Sequence, residues 1–234
     1  MSEAERIAGV YRDQAQKRGD SRWDLRNRGN RAILAERREL SGRLLERQGW
    51  LPLADRRVLE VGCGGGGELA YLLNLGASAP RLVGVDLLPE RIDAARKAFP
   101  ELDFRVGNAD HLEFADGSFD LVLAITLFTS ILDTTMARKV ASEVRRVLRP
   151  GGGLLWYDFR YDSPANRNVR GVGAARVREL FPGFKGELHT VTVIPPLARR
   201  LGPFTTAGYR WLASIPPLRS HLLGLLVKGD SNAI

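Results

Sequence analysis

Gly62, Gly64 and Gly67 stand at G-x-G-x-x-G spacing behind the run Arg57-Val58-Leu59-Glu60-Val61, and Asp86 follows some twenty residues on. Glycine there lets the backbone take dihedrals that a Cβ forbids, and lets a ligand approach the main chain. A helix opening directly behind the glycines offers unpaired N–H groups and a positive dipole end. That combination suits phosphate or carboxylate, so a nucleotide-like cofactor is expected. On the glycines alone, NAD and FAD stay open. Asp86 ends a second apolar run, Arg81-Leu82-Val83-Gly84-Val85, where a carboxylate accepts hydrogen bonds from ribose hydroxyls. No arginine stands immediately after it to meet a 2′-phosphate, which disfavours NADP. The structural alternative for Asp86 is a cap on the helix beginning at Pro89-Glu90.

Other polar residues follow later apolar runs. In Gly107-Asn108-Ala109-Asp110-His111, an amide or carboxylate can accept from the exocyclic amine of adenine, and a backbone N–H can meet a ring nitrogen. The same residues suit an Asx-type turn. Asp158, Tyr157, Thr126 and Asp133 are candidate proton acceptors, and Asp158 ranks first because it closes the fifth apolar run. Pairing with Arg160 or Arg167 is its structural alternative. His111 reads as a turn residue and His221 as a strand-end residue rather than as bases. Cys63 is the sole cysteine, which excludes an internal disulfide; it fits as a small side chain in the glycine turn rather than as a catalytic thiol. No acid ends the fourth run, Ala124-Ile125-Thr126, so no catalytic metal is expected.

These residues need elements that bring them to one edge. Short apolar runs at 58–61, 82–86, 102–106, 119–125 and 154–159 alternate with helical patterns such as 89–98 and 134–149. Such alternation predicts an α/β fold, a doubly wound parallel sheet with ligand sites at the strand carboxyl ends. Strands over 187–194 and 221–227 complete seven. Residues 1–50 are expected as an N-terminal helical lid, broken at Gly29-Asn30, with Tyr11, Arg12 and Trp23 as its cofactor contacts; plain packing is the alternative. Residues 51–234 form the main domain, with 195–220 inserted before the last strand as a wall of the acceptor site. The loop 160–170 is polar and suits substrate selection.

The ordered motifs resemble a class I S-adenosylmethionine-dependent methyltransferase, close to the methyltransferase type 11 subgroup. The residues that carry the resemblance are Val58-Leu59-Glu60-Val61-Gly62-Cys63-Gly64-Gly65-Gly66, Gly84-Val85-Asp86, Gly107-Asn108-Ala109, Asp116-Gly117-Ser118-Phe119-Asp120-Leu121-Val122 and Val147-Leu148-Arg149-Pro150-Gly151-Gly152. They cover about residues 56 to 158. The resemblance implies a Rossmann-like methyltransferase fold with S-adenosyl-L-methionine as cofactor. It places the cofactor against Glu60, Gly62, Cys63, Gly64, Gly66, Asp86, Leu87, Asn108, Ala109, Asp110 and Ile125, with Tyr11 from the lid. Two positions depart from the family pattern. Asn108 stands where an aspartate is usual, and Phe128-Thr129 where a histidine pair is common.

Composition bounds the partners. Of 234 residues, 44% are hydrophobic and 26% charged, which argues for a folded core rather than disorder. The net charge of +8 invites nucleic acid, but the arginines are dispersed and no nucleic-acid-binding signature accompanies them. Residues 1–20 are charged throughout and no apolar run approaches a membrane span, so a cytoplasmic protein is expected. The insertion carries Arg199, Arg200 and Arg210 beside Phe204 and Trp211, which also fits peripheral contact with an anionic membrane. The expected reaction is methylation of a small molecule, foremost O-methylation of a sugar, a lipid-linked saccharide or a natural-product intermediate. Small-molecule N-methylation is a second reading, and a non-catalytic cofactor-binding regulator a third. The oligomeric state is not legible.

Overall fold

The computed structural model describes residues 1–18, 24–164 and 166–229. Trp23 therefore lies outside the described residues. Helices α1 (Glu3–Arg18) and α2 (Arg28–Arg47) precede the sheet. There follow β1 (Val58–Val61), α3 (Gly67–Leu72), β2 (Leu82–Asp86), α4 (Pro89–Ala98), β3 (Asp103–Val106), β4 (Phe119–Ile125), α5 (Thr134–Val147) and β5 (Leu148–Phe159). After these come α6 (Ala174–Leu180), β6 (Phe184–Lys185), β7 (His189–Val193), α7 (Pro195–Arg200), α8 (Thr205–Ala213) and β8 (Arg219–Lys228).

The sheet runs β3-β2-β1-β4-β5-β8, with β6 and β7 both on the outer edge of β8. Strands β1 to β5 are parallel and β8 is antiparallel to β5. The expected seven positions are present, but the outermost one is divided. β6 pairs the far end of β8 at Lys228 and Val227, and β7 pairs its start from Leu223 to Arg219. Close backbone approach explains the break. A Cβ on Gly186 would collide with the Leu225 carbonyl, and one on Gly224 would lie 2.5 Å from the Glu187 oxygen.

Alternation along each strand sends side chains to two faces. Leu59, Val61, Val83, Val85, Val122 and Trp156 pack under α5 and α6. On the other face Val58, Leu121, Leu123, Leu155 and Leu225 pack under α2, α3 and α4. Helix α5 shows why such a segment forms. Its buried residues Met136, Val140, Val144 and Val147 recur at three- and four-residue spacing, and the Asp133 side chain accepts from the Met136 N–H as N-cap. That capping duty is what Asp133 does instead of proton transfer.

The break expected at Gly29-Asn30 is not a break. Both residues lie in the first turn of α2, capped by Asn27, whose side-chain oxygen accepts from the amides of Gly29 and Asn30. Glycine is needed because a Cβ would run into the Ala198 carbonyl of α7. A small satellite core of Ile33, Val193, Ala198 and Tyr209 joins α2 to the 195–220 insertion.

Candidate active site

The carboxyl ends of β1 to β4 open on one cleft of about 710 Å³. Gly62 lines it from behind β1, Asp86 and Leu87 from the end of β2, Asn108 and Ala109 from behind β3, and Ile125 and Thr126 from the end of β4. Tyr11 comes in from α1. Eight of the residues expected from the sequence thus meet in one place. Arg91, Ser130, Ile131 and Met136 line the cleft as well, and sequence reasoning missed them. Helical spacing would have put Arg91 beside the first turn of α4, but nothing in the sequence says that this turn faces Tyr11.

Asp86 is nearly buried, and both of its oxygens accept backbone amides, Oδ2 from Gly64 at 2.9 Å and Oδ1 from Leu88 at 3.0 Å. The bond to Leu88 is a local Asx turn, and α4 has no side-chain cap. Each carboxylate oxygen keeps a second lone pair for a hydroxyl. Asn108 turns likewise, its Oδ1 accepting from the Asp110 N–H at 3.3 Å. Asp110 stands behind that turn and does not line the cleft.

The glycine turn is built for close approach. Gly62, Gly64 and Gly66 all have positive φ, at 76°, 52° and 78°. A Cβ on Gly62 would stand 3.0 Å from Leu127 Cδ1, and one on Gly66 would enter the Phe104 ring. The amides of Gly62 and Cys63 are donated to the Val85 carbonyl, that of Gly64 to Asp86 and that of Gly66 to the Cys63 carbonyl. These four amides are therefore already spent, whereas those of Gly67 and Glu68 open α3 without an intrahelical acceptor. Cys63 is buried beneath Gly84, and burial pushes its thiol well above the ordinary value, which removes thiolate chemistry.

Glu60 points away from the cleft, to the α2 face, and is only 3% exposed. Burial, and then Glu68, raise its carboxyl well above the usual carboxylate range, and its Oε2 has no partner among the described residues. Arg37 of α2 lies on this face, bonded to Glu68 at 2.7 Å and 5.1 Å from the centre of the Tyr157 ring. Tyr157 is buried, donating to or accepting from Thr192 Oγ1 at 3.0 Å, and its ring stacks on His221. Ser220 Oγ lies 3.2 Å from the Thr192 carbonyl and 2.8 Å from His221 Nδ1. When the hydroxyl donates to that carbonyl, it accepts from Nδ1–H and leaves Nε2 as a bare acceptor. Burial and Arg37 push the imidazole down to about 3, so it is neutral. This buried polar group escaped sequence reasoning because its members come from α2, β1, β5 and β8.

Asp158 is placed differently from expectation. It is 1% exposed and does not line the cleft. Its carboxylate accepts from the amides of Thr129 at 3.0 Å and Phe159 at 2.8 Å. Burial pushes its pKa up to about 7, against the pull of those amides. Neither Arg160 nor Arg167 pairs with it among the described residues. Asp158 fixes the loop after β4 to the end of β5.

Helix α1 is tied to the same loop. Glu3 accepts from the Leu132 N–H at 2.6 Å, Arg6 donates to the Ser130 carbonyl at 2.7 Å, and Tyr11 Oη lies 2.8 Å from Ser130 Oγ. The Arg91 guanidinium sits 4.2 Å from the Tyr11 ring centre, a cation–π contact across the cleft rim. Arg12 pairs with Glu90 at 3.0 Å outside the cleft. No group of three or more His, Cys, Asp or Glu side chains could hold a metal among the described residues.

Residues 58–152 match the family model described as a methyltransferase domain. Over that span the chain is similar to methyltransferase domains. Solved structures agree on the fold. The YcgJ protein of Bacillus subtilis superposes at a TM-score of 0.59 and 18% identity, covering 82% of this chain and all of its own. An S-adenosylmethionine-dependent methyltransferase of Methanosarcina mazei superposes at 0.57 and 21% identity, over 75% of this chain and 94% of its own. Among curated relatives, the phthiotriol/phenolphthiotriol dimycocerosates methyltransferase 1 of Mycobacterium ulcerans is 43% identical over 110 residues, 46% of this chain and 39% of the relative. The ubiquinone biosynthesis O-methyltransferase of Xanthomonas oryzae is 32% identical over 151 residues, 62% of this chain and 59% of the relative. The chain therefore spans between about two fifths and three fifths of these relatives' lengths.

Proposed function

We propose that this chain methylates a hydroxyl of a small molecule, with S-adenosylmethionine bound in the cleft at the carboxyl ends of β1 to β4. The observation that carries the reading is the joint placement of Asp86, Gly62, Asn108, Ala109, Leu87 and Ile125 around that cleft. The residues fit the cofactor. Asp86 has lone pairs left for ribose hydroxyls. The turn at Asn108 and Ala109 would meet adenine, and Leu87 and Ile125 supply apolar walls. Glu60, with its orphaned Oε2, would meet an ammonium reaching behind the glycine turn, and that charge would draw its pKa back down. A dinucleotide fits less well, because four amides of the turn are spent internally and a carboxyl stands close behind them, where a pyrophosphate would be repelled.

When bound, the cofactor supplies a methyl carbon made electrophilic by its sulfonium. The chain's part is to orient and to exclude water. In this reading α1 acts as the lid, Tyr11 and Ile7 closing the cleft over the sheet edge. Residues 1–50 do not act as one body. Helix α2 belongs to the sheet's own core, and the 195–220 insertion packs against it.

Proton acceptance decides the acceptor class. Among the described residues lining the cleft, Thr126, Ser130 and Tyr11 offer hydroxyls, and Asp86 is already bonded twice. None is a ready general base at neutral pH, and Asp158 is sealed behind the loop as a positioning residue. An acidic hydroxyl such as a phenol ionises without help, so it fits better than a sugar hydroxyl. The printed name of the Xanthomonas relative, an O-methyltransferase of ubiquinone biosynthesis, points the same way. An amine also needs no base, which keeps N-methylation as the second reading. If the acceptor is lipid-linked, the chain would meet it at a membrane surface.

The test is incubation with methyl-labelled S-adenosylmethionine and a panel of phenols, sugars and amines, read by mass spectrometry. Labelled phenol ethers, formed faster as pH rises towards the phenol's own pKa, are expected. Label on amines alone, with the cofactor bound, would overturn the O-methyl reading.

A further inference from the structure

From Leu188 to Gly229 the chain contains no aspartate or glutamate. Within this acid-free stretch, residues in and just before α8 expose apolar bulk that the core does not take. Phe204 is 77% exposed and Trp211 67%. They are seven residues apart, two helical turns, so they stand on one face of α8 with exposed Ala207 between. The opposite face carries Thr205 and Tyr209, which are buried, and Tyr209 donates to Glu36 of α2 at 2.8 Å. The exposed stripe is therefore surplus to packing. Leu197 of α7 is also exposed.

Charge frames the stripe. Arg200 and Arg210 are exposed, and neither forms an ion pair among the described residues. Helix α2 begins beside α7, where the Asn27 side chain donates to the Arg199 carbonyl at 3.2 Å. That neighbouring turn adds the exposed Arg28 and a further exposed apolar residue, Leu25. Aromatic side chains between unpaired arginines, on a short helix lying flat on its domain, match the requirements of an interfacial anchor. On the insertion itself, acidic groups of a partner would meet arginine and no acid, the neighbouring Asp24 being paired with Arg26 at 2.6 Å, and apolar depth would be met by Phe204 and Trp211.

We propose that the α7–α8 insertion is a docking surface for an anionic lipid membrane, with Phe204 and Trp211 entering the acyl boundary and Arg200 and Arg210 meeting lipid phosphates. Arginine near such a surface adds attraction that salt screens. The insertion follows β7 and precedes β8 on the same sheet edge as the cleft, so docking would turn that edge towards the bilayer. The inference extends the reading of a lipid-linked acceptor but stands on this surface alone.

The test is co-sedimentation of the whole chain with vesicles of phosphatidylglycerol and phosphatidylcholine, and with phosphatidylcholine vesicles alone. It uses neither cofactor nor acceptor, so its outcome is independent of whether methyl transfer is found. The chain is expected to sediment with the anionic vesicles, to release as salt rises, and to stay in solution with the neutral ones. The double variant Phe204→Ser/Trp211→Ser should partition about tenfold more weakly while keeping the wild-type melting temperature, because both side chains stand in solvent. Arg200→Glu/Arg210→Glu should lose the preference for anionic vesicles. Failure of the wild type to sediment, or equal sedimentation of the aromatic double variant, would overturn the proposal. So would a dimer that the double variant dissolves in the absence of any vesicle binding.

Discussion

Asp158 and Cys63 show how burial decides what a reactive-looking residue does. Both side chains have chemistry that catalysis uses, and both lie under the cleft rather than in it. Asp158 has a folded-state pKa near 7 against an ordinary value of 3.8, so the folded chain takes up its proton more readily than the unfolded one. Its contribution to stability is complete below about pH 4 and is lost as pH rises through 7. The melting temperature of the wild type minus that of Asp158→Asn should therefore fall steadily between those limits. A gap that is flat or widens would show that Asp158 is not buried in this way. Cys63, with its thiol pushed up by burial, should resist an aromatic disulfide reagent in the native state and react at once after unfolding in denaturant. Rapid native reaction would place it in the open cleft. Sequence reasoning placed Asp158 at the close of its strand and Cys63 in the glycine turn. It did not find their burial, because what covers Asp158 is the loop after β4 and what covers Cys63 is β2, each set by tertiary packing.

At the scale of elements, the local signals that worked were glycine turns and alternating strand and helix patterns. Strand β1, its glycines and Asp86 were legible because turn, strand and spacing are all written within about thirty residues. The Gly29-Asn30 pair misled, since glycine can mark a break or a close approach, and only Ala198 reveals which. The division of the outer edge into β6 and β7 was hidden for the same reason, its cause lying at Gly224 on another strand. Helix α1 bears the clearest functional prediction at this scale. Tyr11→Ala removes both the contact with Arg91 and the bond to Ser130, and should weaken binding of S-adenosylhomocysteine roughly tenfold by calorimetry. Arg12→Ala breaks only an exposed pair with Glu90 and should leave binding unchanged. Equal effects from the two variants would mean that α1 does not close on the cofactor.

For the whole molecule, a three-layer sheet gathers one cleft from the ends of β1 to β4, and the positive charge of +8 gathers partly on an acid-free insertion along the same edge. The fold class and eight of the cleft's lining residues were legible because a doubly wound sheet puts every strand carboxyl end on one side. The buried group of Arg37, Glu60 and His221 was not, since it needs α2 laid across β1, β5 and β8. Methyl transfer by this chain requires S-adenosylmethionine as the ligand of the cleft. Calorimetric titration of the wild type and of Asp86→Ala with S-adenosylhomocysteine, with NAD as the control ligand, tests this most directly. Saturable binding of S-adenosylhomocysteine by the wild type, weakened at least about tenfold by Asp86→Ala, and no heat from NAD, is the predicted result. Binding of NAD alone, or of S-adenosylhomocysteine with equal strength by both proteins, would contradict the assignment of this cleft.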